Sequence, residues 1–318
     1  MRERGFPRIL IAIILLVTSL SGVAAGGRAE NDSTGHLSLG VLPDVDSIPF
    51  IIAHEKGFFL EEGVELELAR FNSPVVRDTA LQAGKIDGAV SDVLAAAFAV
   101  EGDFPVVITS KTEGSYKFLA APDSEIKEVS DIRGKTVAMS RNTIIEYCAD
   151  RFLAEAGIPP KEIIKTAIPQ IPVRVEMLKE GLVHSAVLPE PLASVAKAGG
   201  ATVVKASEDL GINPGVVLFR RSVVDEKGPS VKAMYRGYNR AVALLREIQI
   251  HQLEELLIEK AGFPEDIRGN LSLPDYPAAS LPPRKEVDEV IRWLLEKELI
   301  SRRLEYDDLV FPKLLPAD

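Results

Sequence analysis

The stretch LQAGKIDGAVSDVLA at residues 81–95 returns in altered form as LKEGLVHSAVLPEPLA at residues 178–193. Aligned on Gly84 and Gly181, the two copies lie 97 residues apart. Each reads as a helix end, a glycine stop, a short apolar strand, a turn and a second helix. Glycine supplies the left-handed backbone of the stop, and residues 86–90 and 183–188 are strand-length apolar runs. Two copies one lobe-length apart predict two similar α/β lobes. Both turns then fall at the carboxyl ends of strands, where open α/β sheets hold ligands. Only the second copy carries Pro189-Glu190-Pro191.

Working outward, alternating residues 36–42 predict a first strand and residues 64–71 a second, with a helix over 48–56 between them. Helices are expected over 75–83 and 93–100, and strands over 105–110 and 116–121. The pattern restarts with a strand at 136–139, a helix at 143–156, a strand at 163–168 and a helix at 173–179. Strands near 202–205 and 216–220 follow. From residue 230 the chain turns helical, over 230–260 and again over 285–297, with Pro274, Pro277, Pro282 and Pro283 breaking the interval. This tail has too little strand for a lobe of its own and is expected to pack back on the first. The chain then crosses between lobes near 112–116 and 211–216. Expected parts are a first lobe over 36–115 and 213–318, and a second over 116–212.

The chain has 318 residues, 46% hydrophobic and 26% charged, ordinary for a globular protein. A net charge of −10 without a basic patch argues against nucleic acid as a partner. Arg2, Arg4 and Arg8, an apolar run over 9–17 and small residues over 19–25 read as an export signal cleaved after about Ala25. Residues 26–35 read as a flexible leader. The apolar run is short for a membrane span, and no cysteine follows it to carry a lipid. The single cysteine, Cys148, reads as a buried, inert thiol on a helix. The four histidines, His36, His54, His184 and His251, have no ligand-like spacing, so neither a metal nor a cofactor is expected.

The run IPFIIAHEKGFFLEEGVELEL from Ile48 resembles the solute-binding proteins of ABC importers, in the NMT1/THI5-like branch that includes aliphatic-sulfonate, taurine and nitrate binders. DIRGKTVA at residues 131–138, LPEP at 188–191 and the two glycine-stop strands are similar to the same branch, and the likeness spans about residues 37–225. The resemblance implies a type II periplasmic-binding-protein clamshell: two α/β lobes on a two-stranded hinge. It implies a monomeric receptor without enzymatic activity, working with an ABC permease and its ATPase. His184 departs from the aspartate usual at that position, which Asp87 keeps in the first copy.

A clamshell needs polar groups converging from both lobes. Strand ends and helix N-termini favour an anion or an oxygen-rich group there. The first lobe offers Asp44 and Ser47, Asn72 and Ser73, and Ser91 and Asp92. The crossing adds Ser115, and the second lobe adds Ser140, Arg141, Asn142 and Thr143. The same residue types are preferred helix caps, and Thr143 with Glu146 has the spacing of a capping box. Glu190, braced by its two prolines, is the expected ligand acceptor.

These acidic groups lean towards a donor-bearing or zwitterionic ligand, such as an amino-sulfonate or aminopyrimidine. Two rivals stand beside the receptor. One is an enzyme on the same fold, acting on a pyrimidine or menaquinone precursor. The other is a ligand-sensing module of a signalling system.

Overall fold

The computed structural model describes residues 35–316. The export signal and nearly all of the leader read in the sequence lie outside these residues. The first of two five-stranded sheets contains β1 (Gly35–Val41), β2 (Val64–Arg70), β3 (Gly88–Asp92), β4 (Val106–Lys111) and β10 (Gly215–Arg220), ordered β2-β1-β3-β10-β4. The second contains β5 (Tyr116–Ala120), β6 (Thr136–Met139), β7 (Ile164–Ala167), β8 (Ser185–Pro189) and β9 (Thr202–Ala206), ordered β7-β6-β8-β5-β9.

The two sheets repeat one plan. β1 runs parallel to β2 and β3, and β6 runs parallel to β7 and β8. In each sheet the strand arriving from the other sheet, β10 or β5, lies antiparallel against that trio. This two-lobed α/β arrangement is the source of the 97-residue echo. The repeated strands begin two residues later than the apolar runs suggest. Ile86 and Val183 are buried in the approach to each strand, so apolarity sets in before strand pairing does.

Burial on both faces explains the continuously apolar strands: the consecutive residues Ala186, Val187 and Leu188 of β8 are all fully buried. The alanines of α4 (Val93–Glu101), with Ala96 and Ala97 fully buried, let that helix pack closely. His184 is also explained. Asp87 accepts the Ser38 amide through Oδ2 at 3.1 Å, and His184 Nδ1 accepts the Thr136 amide at 3.3 Å. Either side chain ties the start of its strand to the strand beside it.

Beyond β10 the structure departs from the reading in two ways. Helix α8 (Arg221–Leu245) starts before residue 230 and continues through Pro229 by bending at Lys227, whose backbone is non-helical. It packs on α1 (Ile48–Glu55) and α2 (Phe58–Glu61) of the first lobe, and α9 (Ile250–Ala261) follows. The tail, however, does not rest on the first lobe alone. Helix α10 (Arg284–Glu296) lies on α4, yet its end reaches α5 (Ile144–Glu155) of the second lobe. Trp293 Nε1 donates to Asp150 Oδ2 at 3.3 Å, and Lys297 Nζ donates to the same atom at 2.9 Å. Lys165 of β7 binds Glu146 at 2.6 Å and Asp150 at 2.5 Å, so two lysines and two carboxylates form one cluster.

Candidate functional site

The carboxyl ends of β1, β3 and β8 meet the N-termini of α3 (Pro74–Gln82), α5 and α6 (Ile171–Lys179) around a cavity lined by both lobes. From the first lobe come Leu42, Asp44, Asp46, Arg77, Ser91 and Asp92. From the second come Tyr116, Ile144, Ile145, Ile171, Arg174 and Pro189. Backbone hydrogen bonds cross between the lobes beside it: Val45 N–H to Glu190 O at 2.9 Å, and Ile171 N–H to Asn72 O at 3.1 Å. The cavity is closed down to about 20 Å3, room for about one water.

Its acidic end is crowded. Asp44 Oδ1 accepts the Ser47 amide at 3.1 Å and the Ser47 hydroxyl at 2.7 Å, capping the 3-10 turn Val45–Ser47. Burial raises the Asp44 pKa against the pull of Ser47 and Arg77. Asp46 accepts hydrogen bonds from Thr112 Oγ1 at 2.5 Å and the Tyr116 hydroxyl at 3.2 Å. Burial, and then the Asp44 charge, push its pKa to about 8, so it is mostly protonated at neutral pH. Asp92 caps α4 by accepting the Ala95 amide at 2.9 Å, and burial lifts its pKa to about 6 against the attraction of Arg77.

Two arginines behave differently. Arg77, 2% exposed, donates to Val90 O at 2.8 Å and Ser91 Oγ at 2.7 Å, and pairs with Asp78 at 2.8 Å. Arg174 is fully buried. Its Nη1 donates to Ile168 O at 2.9 Å, while Nε and Nη2 have no partner among the described residues. Burial pulls its pKa down to about 9, which leaves it cationic at neutral pH.

Of the residues expected from sequence, Asp44, Ser91 and Asp92 line this cavity. Ser47 lies behind Asp44 as its partner. Ser73, at the start of α3, and Ser140, just before α5, are buried with hydroxyls that have no partner among the described residues. Thr143 caps α5 by accepting the Ile145 amide at 3.3 Å. The expected capping box is displaced by one residue, because Glu146 accepts the Asn142 amide at 2.8 Å instead of that of Thr143. Asn142 holds a left-handed backbone, φ 55°, and is exposed. Arg141 is exposed and donates to Lys165 O at 3.2 Å. Asn72 is exposed and lines a separate groove with Pro172 and Glu176.

Ser115 and Glu190 line another cavity, with Lys117, Lys197 and Glu208. The Glu190 carboxylate accepts the Ser194 amide at 3.0 Å at the start of α7 (Leu192–Ala198). It is the Glu190 backbone that bridges the lobes, through Val45 and Ser115.

Sequence reasoning missed Asp46, Arg77 and Arg174. A signal for the arginines was present: Arg77 and Arg174 are themselves 97 residues apart, so the echo extends upstream to the residue pair that enters the cavity.

The NMT1/THI5-like family model matches residues 44–247. No curated protein matches the chain by sequence. Among solved structures, the periplasmic aliphatic sulphonate-binding protein SsuA from Escherichia coli is 20% identical, with 89% of this chain and 94% of that one covered and a TM-score of 0.73. The alkanesulfonate-binding SsuA from Xanthomonas axonopodis pv. citri is 19% identical over 87% and 98%, with a TM-score of 0.76. The desulfurization enzyme DszB has the same fold, at 15% identity over 88% and 97% and a TM-score of 0.64. Fold similarity thus spans binding proteins and an enzyme, and the family match covers every element that builds the cavity except β1 and Leu42: the chain belongs to the NMT1/THI5-like family.

Proposed function

We propose that this protein is an exported, monomeric solute receptor that closes its two lobes over one small organic molecule and delivers it to an ABC permease and its ATPase. One observation carries the reading: the cavity has charged side chains buried from both lobes, including a guanidinium with two unpartnered nitrogens. A buried cation without a counter-charge is costly, and it is understandable where a ligand supplies the charge on closure. Contacts made only in the closed form would draw the open–closed equilibrium towards it. Residues 112–115 and 207–214, which cross between the sheets, would serve as the hinge.

A receptor also fits the chemistry of the cavity wall better than an enzyme does. The lining residues include no histidine, cysteine or lysine. Cys148 is buried in α5, where burial pushes its thiol pKa up, away from the reactive thiolate. The Ser91 hydroxyl is held by Arg77 and faces no general base other than carboxylates.

The test is a thermal-shift and calorimetry screen of the purified chain against aliphatic sulfonates, amino acids, aminopyrimidines and nitrate. A ligand at about 100 times its Kd should add about 2.7 kcal/mol of stability. Stabilisation by none of these classes, or conversion of a bound compound into product by mass spectrometry, would overturn the receptor reading. Fractionation of the producing cell, with the N-terminus of the mature chain sequenced, tests export.

A further inference from the structure

We infer that the end of α10 is a clasp: Trp293 and Lys297, carried by the first lobe, hold α5 of the second and draw the hinge towards closure. The inference rests on the hinged-lobe part of the receptor reading. It adds a device, outside the cavity, that sets the balance between open and closed forms.

The clasp belongs to the first lobe because the tail is tied to that lobe on both sides of the arm. Before α10, Ser280 O accepts the Lys111 amide of β4 at 2.8 Å and the Ser110 hydroxyl at 3.0 Å. Along α10, Val287, Val290, Ile291 and Leu294 are buried in the same core as Leu94 and Ala97 of α4. After it, the Ser301 amide donates to Glu101 Oε1 at 2.7 Å, and the Phe311 amide donates to Ile108 O of β4 at 2.8 Å. An arm fixed at these points turns with the first lobe when the hinge opens.

The tip of the arm meets the second lobe. Trp293 and Lys297 stand four residues apart, as do Glu146 and Asp150 of α5, so each pair shares one helix face. Lys297 Nζ lies 2.9 Å from Asp150 Oδ2 and 3.4 Å from Glu146 Oε1. The Trp293 ring meets the Tyr147 ring edge to face at 5.5 Å, and its Nε1 adds the bond to Asp150. Glu146 and Asp150 are buried, and among the described residues their own lobe supplies one lysine, Lys165, for the two carboxylates. Lys297 brings the second cation from across the lobes. Opening takes it away and leaves the cluster one positive charge short.

The clasped helix also walls the cavity. Ile144 and Ile145 in its first turn line the site, and the Ile144 amide donates to Asp92, the cap of α4. Trp293 and Lys297 are thus positioning residues: they hold α5 about one turn further on, and through it the closed wall.

Distances between spin labels, measured by pulsed electron paramagnetic resonance on the purified chain with no added compound, test this. Leu60→Cys in the first lobe and Leu182→Cys in the second place labels at exposed positions, while the native Cys148 is buried. Relative to this labelled parent, Lys297→Met combined with Trp293→Phe should lower the ratio of short to long interlobe distances about fivefold or more. Lys297→Met alone should move it in the same direction, and Lys297→Arg, which keeps the cation, should stay close to the parent. Glu155→Gln removes an ion pair of the same helix inside the second lobe, with Lys205 at 2.9 Å, and should leave the distances unchanged. Circular dichroism confirms that each variant folds. Equal distance distributions in the parent and both clasp variants, or a shift of the same size from Glu155→Gln, would overturn the clasp. Either result leaves the receptor reading to its own binding screen, because no ligand enters the measurement.

Discussion

Arg77 and Arg174 occupy the same position in the two repeated halves, 97 residues apart, and only Arg77 is neutralised. Asp78 pairs with it at 2.8 Å, whereas the equivalent position beside Arg174 is Val175, which offers no carboxylate. The repeat has thus produced one structural arginine and one that keeps two donors unpartnered in a closed cavity.

The acidic end gives the protein a pH signature. The Asp46 pKa lies at about 8 in the fold against an ordinary 3.8, under the influence of burial, Asp44, Thr112, Tyr116 and Glu113. Between those values the folded state holds a proton that the unfolded state has lost. Stability therefore falls as pH rises through this window, by up to about 1.4 kcal/mol per pH unit. Asp46→Asn keeps hydrogen-bonding capacity without the ionisation. A series of melting temperatures from pH 4 to pH 8 should be visibly flatter for the variant than for the parent.

Asp87 and His184 do the same backbone work with different chemistry, but Asp87 carries more. It also binds Arg220 at 2.7 Å and Lys227 at 3.2 Å. Asp87→Ala strands those cations and the Ser38 amide and should cost about 2–4 kcal/mol in urea unfolding. His184→Asp restores the acceptor of the first copy and should stay within about 1 kcal/mol of the parent.

Most of the scaffold was legible in the sequence because strand and helix periods are local properties. The glycine stops, the alternation in β1 and β2 and the two chain crossings all follow from such patterns. The cavity was legible only in part. Asp44, Ser91 and Asp92 stand at strand ends, where a polar residue attracts notice. Arg77 and Arg174 sit one turn into their helices, where an arginine looks like an ordinary solvated residue until the lobes close over it. Glu190 drew attention through its flanking prolines, yet proline fixes the backbone and not the direction of the carboxylate. That carboxylate turns to the start of α7.

The tail of the chain bridges the lobes through an ionic cluster that no local pattern announces. Lys297→Met leaves Glu146 and Asp150 with Lys165 alone and removes the tail's charged contact with α5. Because Lys297 is partly solvated, the expected cost is about 1–2 kcal/mol. Hydrogen exchange should show faster opening of α5 and α10 together, with β1 and β2 unchanged.

The most direct test of the account is Arg174→Met, measured for stability and for binding on the same preparation. Methionine fills similar volume without a charge, so removing an uncompensated buried cation should leave the ligand-free melting temperature unchanged or raise it. Affinity for the anionic ligand should fall about 100-fold or more. A variant that melts several degrees lower while binding as tightly as the parent would make Arg174 a structural residue and contradict the account.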